Sequence, residues 1–348
     1  MLNSKLKIAL TQLESIRHIV ENGRRAREHI TPYGFESFAP SFEKIDITYG
    51  RTFDYCATIT RAYATFERFV LEVSEQLIEW CFQNDRIKFF ESKKVQETYE
   101  IGVAEILRRH GEARFASVDK ADLAHSLAAL HGGAAPKKFL VDPFFATLPN
   151  LNVSHIDGLL ANLGFADSLS TWMADSQEFT DYLESEGITV GDALKDLVER
   201  RNEAAHGNEL PSNIWGPNEL NVRLELLVRV CNKFYEFAVY LIIKRADFAT
   251  ESAGLGVVTG LWKAAGAFEL KTNSKAVSRD TPVVLFKRGA LFTDKISALQ
   301  IESAGCGVYF GPSATKLGVT LKSGNLPKKK MIVLGSSVVP GLDRLLEI

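Results

Sequence analysis

Little in this sequence is extreme, and each scarcity closes off a class of protein. Cysteine is sparse: Cys56, Cys81, Cys231 and Cys306 stand far apart among 348 residues, and no two form a Cys-x-x-Cys pair. Neither a disulfide framework nor a zinc site is expected from that spacing. Three of the four fall in apolar helical stretches, where a free thiol behaves as a small core side chain. Charge of neither sign is in excess, since 41 Lys and Arg face 43 Asp and Glu for a net −2, with a pI near 6.4. A bulk electrostatic footprint for nucleic acid is thereby excluded, while a local basic site is not. No apolar run approaches the roughly 18 residues needed to span a bilayer. Met1-Leu-Asn-Ser-Lys-Leu-Lys7 leads into no long apolar region of the kind a secretory signal carries. No membrane partner is expected, and a reducing cytoplasm is the expected compartment. Gly254-Leu-Gly256 is followed by no Gly-Lys-Ser/Thr, so no phosphate loop is predicted there. There is no internal repeat and no low-complexity tract.

What is present is an ordinary globular composition, 46% hydrophobic and 24% charged, in a chain long enough for two domains. From Leu2 to about Ala249 the pattern is helical. Residues 2–29 carry Leu6, Leu10, Leu13, Ile16 and Ile19 at helical spacing and end in the basic cluster Arg24, Arg25 and Arg27. A segment near 30–50, with proline and glycine, breaks the period. A helix over about 52–83 then places Ile59, Tyr63, Phe66, Val70, Val73, Leu77 and Trp80 in one stripe. A second, over about 218–248, does the same with Leu220, Leu224, Leu227, Cys231, Phe234, Ala238 and Leu241. Stripes this wide and aromatic suit a bundle rather than a coiled coil. Between them, 93–109 and 119–131 read as helices and 134–153 as loop, while Ser154 and Asp167 can cap short helices. A further helix covers about 192–206, with Asp192 as its N-cap or first-turn acid and Gly207 at its C-terminal end.

After Thr250 glycine becomes frequent and helical periodicity stops. Short β-prone runs at 282–286, 298–301, 307–310, 317–321 and 331–334 alternate with turn signals. The expected organisation is mainly α: a helical bundle over 1–249 with a variable helical insertion at 85–190, then a small all-β, barrel-like domain over 250–348.

The candidate site lies at the end of the 192–206 helix. Arg201 follows Leu197 by four and Val198 by three, so it continues their apolar stripe. A cation on a core-facing stripe needs an anionic partner. Asn202 and His206 are four apart and share the neighbouring face. Arg201 and His206 are about 140° apart on an ideal helix and converge only if the last turn loosens, which Gly207 and Pro211 would allow. A planar cation beside a group titrating near neutrality suits phosphodiester cleavage, with arginine holding the phosphate and histidine transferring protons. On spacing alone the same residues also read as a solvated, ion-paired helix end.

Arg201-Asn-Glu-Ala-Ala-His-Gly207 resembles the Arg-polar-x3-His signature of the HEPN superfamily (higher eukaryotes and prokaryotes nucleotide-binding), and in particular its RiboL-PSP-HEPN-like members. Phe66-Glu67-Arg68-Phe69 on the earlier long helix is similar to that family's aromatic–glutamate–aromatic step. The resemblance implies an HEPN-type bundle that forms a homodimer, with two motifs lining one cleft. It implies a metal-independent endoribonuclease without cofactor, a toxin or antiviral-defence effector in toxin–antitoxin or abortive-infection systems. Carried over, Arg201 would bind the phosphate, His206 would act as acid and base, and Asn202 would orient them. RNA and a possible antitoxin or regulatory protein are the implied partners. Other family members only bind RNA, nucleotide or protein, and that alternative stays open here, as does nucleotide transfer.

Other candidates carry less. His125 and His131 lack a matching carboxylate and read as surface or helix-end groups, and His18, His29, His110 and His155 stand isolated. The arginines at 24, 25 and 27 read as a solvated helix end or a phosphate contact. Lys328-Lys-Lys330 reads as a blunted strand edge or an RNA contact. The runs at 295–301, 317–321 and 324–328 resemble the second-domain barrel of translational GTPases, which would imply contact with tRNA, ribosomes or a translation factor.

Overall fold

The structure, a computed structural model, describes residues 1–30, 47–132, 139–206, 214–248, 254–273, 275–301, 304–306, 308–309, 316–336 and 339–347. Four long helices form the frame: α1 (Leu2–Ile30), α2 (Ile47–Asn84), α10 (Val190–His206) and α11 (Pro217–Arg245). α2 packs against α1, α10 and α11, and α1 also packs along α11. The expected stripes of α2 and α11 are buried throughout, each member at most 6% exposed.

α1 corrects its expected stripe. The run through Leu10 and Ile19 advances by four and then by threes, a mean of about 3.25 residues, shorter than the 3.6 of a helical turn. The buried line instead follows Leu2, Leu6, Ala9, Leu13, Ile16 and Val20, which averages 3.6 and leaves Ile19 69% exposed.

The insertion folds as short helices: α3 (Arg86–Glu91), α4 (Lys93–Arg108), α5 (Lys120–Leu130), α6 (Asp142–Phe145), α7 (Val153–Asn162), α8 (Leu169–Ala174) and α9 (Gln177–Glu186). Aromatic rings knit it to the bundle. Phe139 stacks on Phe82 of α2 at 4.9 Å between centroids and on Tyr99 of α4 at 5.2 Å, and the Tyr99 hydroxyl donates to the Leu140 carbonyl. The caps differ from expectation by one to three residues. Asn152, not Ser154, accepts the N–H of His155; Ser168, not Asp167, accepts that of Thr171; Thr189, not Asp192, caps α10. Asp192 is the first-turn acid and accepts from the Thr189 hydroxyl, while Asp167 instead pairs with Lys244 at 2.5 Å. The expected loop over 134–153 contains α6, where Pro143 takes the first turn, a place needing no backbone donor; residues 133–138 lie outside the described part.

The C-terminal part is a closed antiparallel barrel. In it β1 (Gly256–Trp262), β2 (Ala267–Thr272), β4 (Pro282–Lys287), β5 (Ala290–Ile301), β8 (Lys316–Leu321) and β9 (Ile332–Gly335) run in the order β4-β9-β1-β2-β8-β5 and return to β4. β6 (Ala304–Cys306) pairs antiparallel with the end of β5, and β3 (Val277–Ser278) pairs with β7 (Val308–Tyr309) apart from the barrel. The run Val283-Val-Leu-Phe286 is apolar without alternation because both faces of β4 are covered. Val283 and Leu285 enter the barrel core, whereas Val284 and Phe286 join the core of the helical part. α12 (Leu342–Leu346) returns to pack on α1, with Leu342, Leu345 and Leu346 buried, and Trp80 donates to the Pro340 carbonyl at 2.8 Å. Closure also corrects the expectation for Lys328–Lys330: β9 pairs with both β1 and β4, so these lysines border no free edge. Among the described residues no helix is long and apolar enough to cross a membrane.

One packing contact is unusually intolerant. A Cβ on Gly102 of α4 would stand 1.9 Å from the Pro143 carbonyl oxygen of α6, backbone that cannot swing aside. Gly102→Ala is expected to cost about 3 kcal/mol, the upper range for overpacking, read as a lower urea midpoint at unchanged m-value. A variant as stable as the parent would show that α4 and α6 separate freely.

Candidate functional site

α10 starts from its Thr189 cap and buries Ala193, Leu194 and Leu197 against α2. Its last turns present two adjacent arginines with different fates. Arg200 is held on every side. Its Nε donates to Asp196 at 2.9 Å, its Nη1 to the Tyr55 hydroxyl at 3.1 Å, and its guanidinium lies 4.3 Å from the Trp215 ring centroid.

Arg201 is half-buried and has no carboxylate partner among the described residues. Its guanidinium rests over the Tyr63 ring of α2, 5.4 Å from the centroid, and Nη1 donates to Asn202 Oδ1 at 3.1 Å. The anionic partner expected for Arg201 is therefore replaced, within the described chain, by an aromatic face and an amide oxygen.

Asn202 connects this arginine to the loop before α7. Asn150 Nδ2 donates to the same Asn202 Oδ1 at 3.2 Å, and His155 Nδ1 lies 2.6 Å from the Asn150 carbonyl oxygen. A carbonyl oxygen only accepts, so Nδ1 carries a proton and donates it to this contact. Beneath Arg201, the Tyr63 hydroxyl accepts the Leu151 N–H at 2.5 Å and donates to Glu67 Oε1 at 3.4 Å. Burial, followed by the Glu67 charge, pushes the Tyr63 hydroxyl well above its ordinary pKa. Arg201, Asn202, Tyr63, Glu67, Asn150 and His155 thus form one connected polar cluster at the edge of the bundle.

Of the expected site residues, Arg201 and Asn202 are brought together. The α-helix continues through His206, so the backbone keeps the ideal offset of about 140° between positions 201 and 206. The expected loosening of the last turn does not occur up to that residue. The His206 side chain, Gly207 and Pro211 lie outside the described residues. Sequence reasoning left His155 isolated and did not single out Asn150. The one local signal was Asn150-x-Asn-x-x-His155, a turn-and-cap pattern ahead of a helix.

The remaining candidates have ordinary roles. His131 does have a carboxylate, Glu100, at 2.9 Å, an exposed contact; His125 is exposed, and His110 Nε2 meets the Val118 carbonyl oxygen at 3.1 Å. Arg25 pairs with Glu21 one turn earlier, while the side chains at 24 and 27 lie outside the described part. Gly256 opens β1, where a Cβ would stand 2.2 Å from the Lys271 carbonyl oxygen. No group of three His, Cys, Asp or Glu able to hold a metal occurs among the described residues.

Because Leu151 is buried, Tyr63→Phe would leave its N–H without an acceptor while keeping the ring under Arg201. The expected loss is about 1–3 kcal/mol in urea unfolding. No change in stability would mean that the Tyr63–Leu151 contact does not hold the loop in place.

No family model matches this sequence, and no curated protein matches it. Among solved structures, the C-terminal domain of a putative U32 peptidase from Geobacillus thermoleovorans is similar at 16% identity, over 24% of this chain and 96% of that domain, with a TM-score of 0.21.

Proposed function

We propose that the protein is a metal-independent endoribonuclease of HEPN type, acting as a homodimer, with Arg201 and His206 as its catalytic residues and Asn202 as their positioning residue. The observation that carries this reading is Arg201 itself: a half-buried guanidinium, oriented by Tyr63 and Asn202, with no carboxylate to neutralise it among the described residues. Desolvating a permanent cation costs free energy unless an anion meets it. A phosphodiester is an anion whose two nonbridging oxygens match the guanidinium fork.

In the proposed reaction a histidine accepts the proton of the ribose 2′-hydroxyl and the 2′-oxygen attacks phosphorus. The bond from phosphorus to the 5′-oxygen breaks, and that oxygen takes a proton from a second acid. The products are a 2′,3′-cyclic phosphate and a 5′-hydroxyl end. Arg201 stabilises the charge that grows on the nonbridging oxygens. DNA is not a substrate, because it lacks the nucleophile.

The uninterrupted helix through His206 favours a dimer. Within one chain positions 201 and 206 point apart, so the Arg201 of one protomer would work with the His206 of the other, and two symmetric copies supply both base and acid. By its resemblance to that family such an enzyme would act in toxin–antitoxin or antiviral defence, with an antitoxin or regulatory protein as partner.

Purified protein is expected to cleave single-stranded RNA in EDTA, leaving cyclic phosphate ends. Arg201→Ala and His206→Ala should each lower cleavage by at least about 100-fold without changing the far-UV CD spectrum. Co-expressed as mixed dimers, the two variants should not complement each other, since a mixed dimer keeps only one His206 and so lacks either the base or the acid. Full cleavage by either single variant would remove the assigned roles. Binding of RNA without cleavage by the wild type would favour the non-catalytic HEPN reading.

A further inference from the structure

The net charge of −2 hides a division along the chain. Residues 254–348 carry thirteen Lys and Arg against six Asp and Glu, a net +7, so residues 1–253 carry −9. A polyanion is therefore attracted by the barrel and, on average, repelled by the helical part. Charges are screened beyond about 8–10 Å at physiological salt, so the local placement of the lysines decides what the barrel can hold.

That placement follows from a bulge. The β1–β2 register shifts between Val258 and Gly260, adding Thr259 as an extra residue. Before the shift Val258 lies opposite Leu270 and faces the core; after it Leu261 lies opposite Phe268 and faces the core. The added residue reverses the phase, so Gly260 and Trp262 point outward, as bulges commonly re-aim side chains. Trp262 is 46% exposed. Its ring packs against Gly318 of β8, where a Cβ would stand 3.0 Å from the ring carbon Cζ3 and 3.6 Å from Cη2. The indole is thus supported by bare backbone, and the residue stays open to solvent.

Lysines lie on the same outer face. Lys271 and Lys316 are opposite each other across β2 and β8, both exposed. Lys263 follows Trp262 and is exposed. The Lys328–Lys330 turn is anchored at the bulge by the Lys330 N–H donating to the Val258 carbonyl at 2.9 Å. Glu269, the acid on this face, accepts from Thr259 at 2.5 Å and pairs with Lys316 at 3.2 Å. The Thr259 hydroxyl first, then Lys316 and Lys329, hold its carboxyl below the usual range.

We propose that the outer face of β1, β2 and β8 binds single-stranded RNA, one base stacking on Trp262 while phosphates follow Lys271, Lys316 and Lys329. The support for a single strand is geometric: a flat, half-exposed indole needs an unstacked base, which a duplex does not offer. A bilayer is less well matched, since one ring seated on a glycine offers little to insert. The site stands apart from the Arg201 cluster and does not depend on cleavage there.

The test uses the full chain and a fluorescein-labelled, uncleavable 2′-O-methyl oligouridine 12-mer, followed by anisotropy across a KCl series. Trp262→Ala should weaken binding about fivefold or more, the low end for base–aromatic stacking, and Trp262→Phe should stay within about twofold of wild type. Binding should quench tryptophan fluorescence in the wild type but not in Trp262→Ala, because Trp80, Trp172 and Trp215 are buried. Lys271→Gln with Lys329→Gln should flatten the log–log salt slope by about 1.4, about 0.7 per lost phosphate contact; this pair decides the matter should Trp262→Ala fail to fold. Arg201→Ala should lose cleavage and no more than its own phosphate contact while keeping the tryptophan quenching, so loss of cleavage and loss of this site are told apart. Unchanged affinity in the Trp262 and lysine variants, absence of RNA binding, or binding of phosphatidylserine vesicles in its place would overturn the proposal.

Discussion

The Tyr63 ring and hydroxyl join three parts of the chain that are far apart in sequence. The ring carries the Arg201 guanidinium from α10, and the hydroxyl takes the Leu151 N–H from the insertion and donates to Glu67 on its own helix. Each partner answers a different cost of burial. Leu151 needs an acceptor for a backbone donor that water no longer reaches, and Arg201 needs a polarisable surface for a charge that water reaches only in part. A tyrosine satisfies both at once because its face and its tip are chemically different. α2 has a fixed rotation, since its stripe from Ile59 to Trp80 is buried along its whole length. The position of the site is therefore inherited from the hydrophobic core.

Arg200 and Arg201 show how a folded environment separates neighbours of identical chemistry. Being about 100° apart on the helix, they face different surroundings. Arg200 meets a carboxylate, a phenol and an indole, and these fix it in place as part of the structure. Arg201 meets an aromatic face and an amide oxygen, which orient a guanidinium without cancelling its charge. Orientation without neutralisation is what an anion-binding arginine requires, because a resident carboxylate would have to be displaced before a phosphate could enter.

Much of this was legible in the sequence, and the gaps have physical causes. The stripes of α2 and α11 were readable because every member obeys one period. The α1 stripe was misjudged because its small member, Ala9, carries little hydrophobic signal beside Leu10. β1 went unread since Gly256, Gly260 and the Thr259 bulge interrupt the alternation that marks a strand. Helix caps slipped by one to three positions where several Ser, Thr, Asn and Asp residues competed, as at Asn152 and Ser154. At the site, Arg201 and Asn202 stood out as an anomaly on an apolar stripe. Asn150, His155 and Tyr63 did not, because they reach the cluster through contacts between residues 52 and 88 apart in sequence.

The barrel and the bundle cannot be weighed separately, because β4 serves both. Its alternate residues fill two cores, and the return of α12 onto α1 closes the chain over the same junction. Such sharing makes the barrel a fixed attachment rather than a tethered one. It also bears on how an acidic helical part could handle a polyanion. At −9 that part offers a phosphate chain little general attraction, and one oriented arginine fixes a single phosphate without recruiting a strand. Recruitment by a basic surface elsewhere on the same rigid body would raise the local concentration of RNA at the arginine, in the way that linked sites gain from effective concentration. Selectivity would gain as well, since an acidic surround weakens nonspecific adsorption of nucleic acid everywhere except where the barrel holds it.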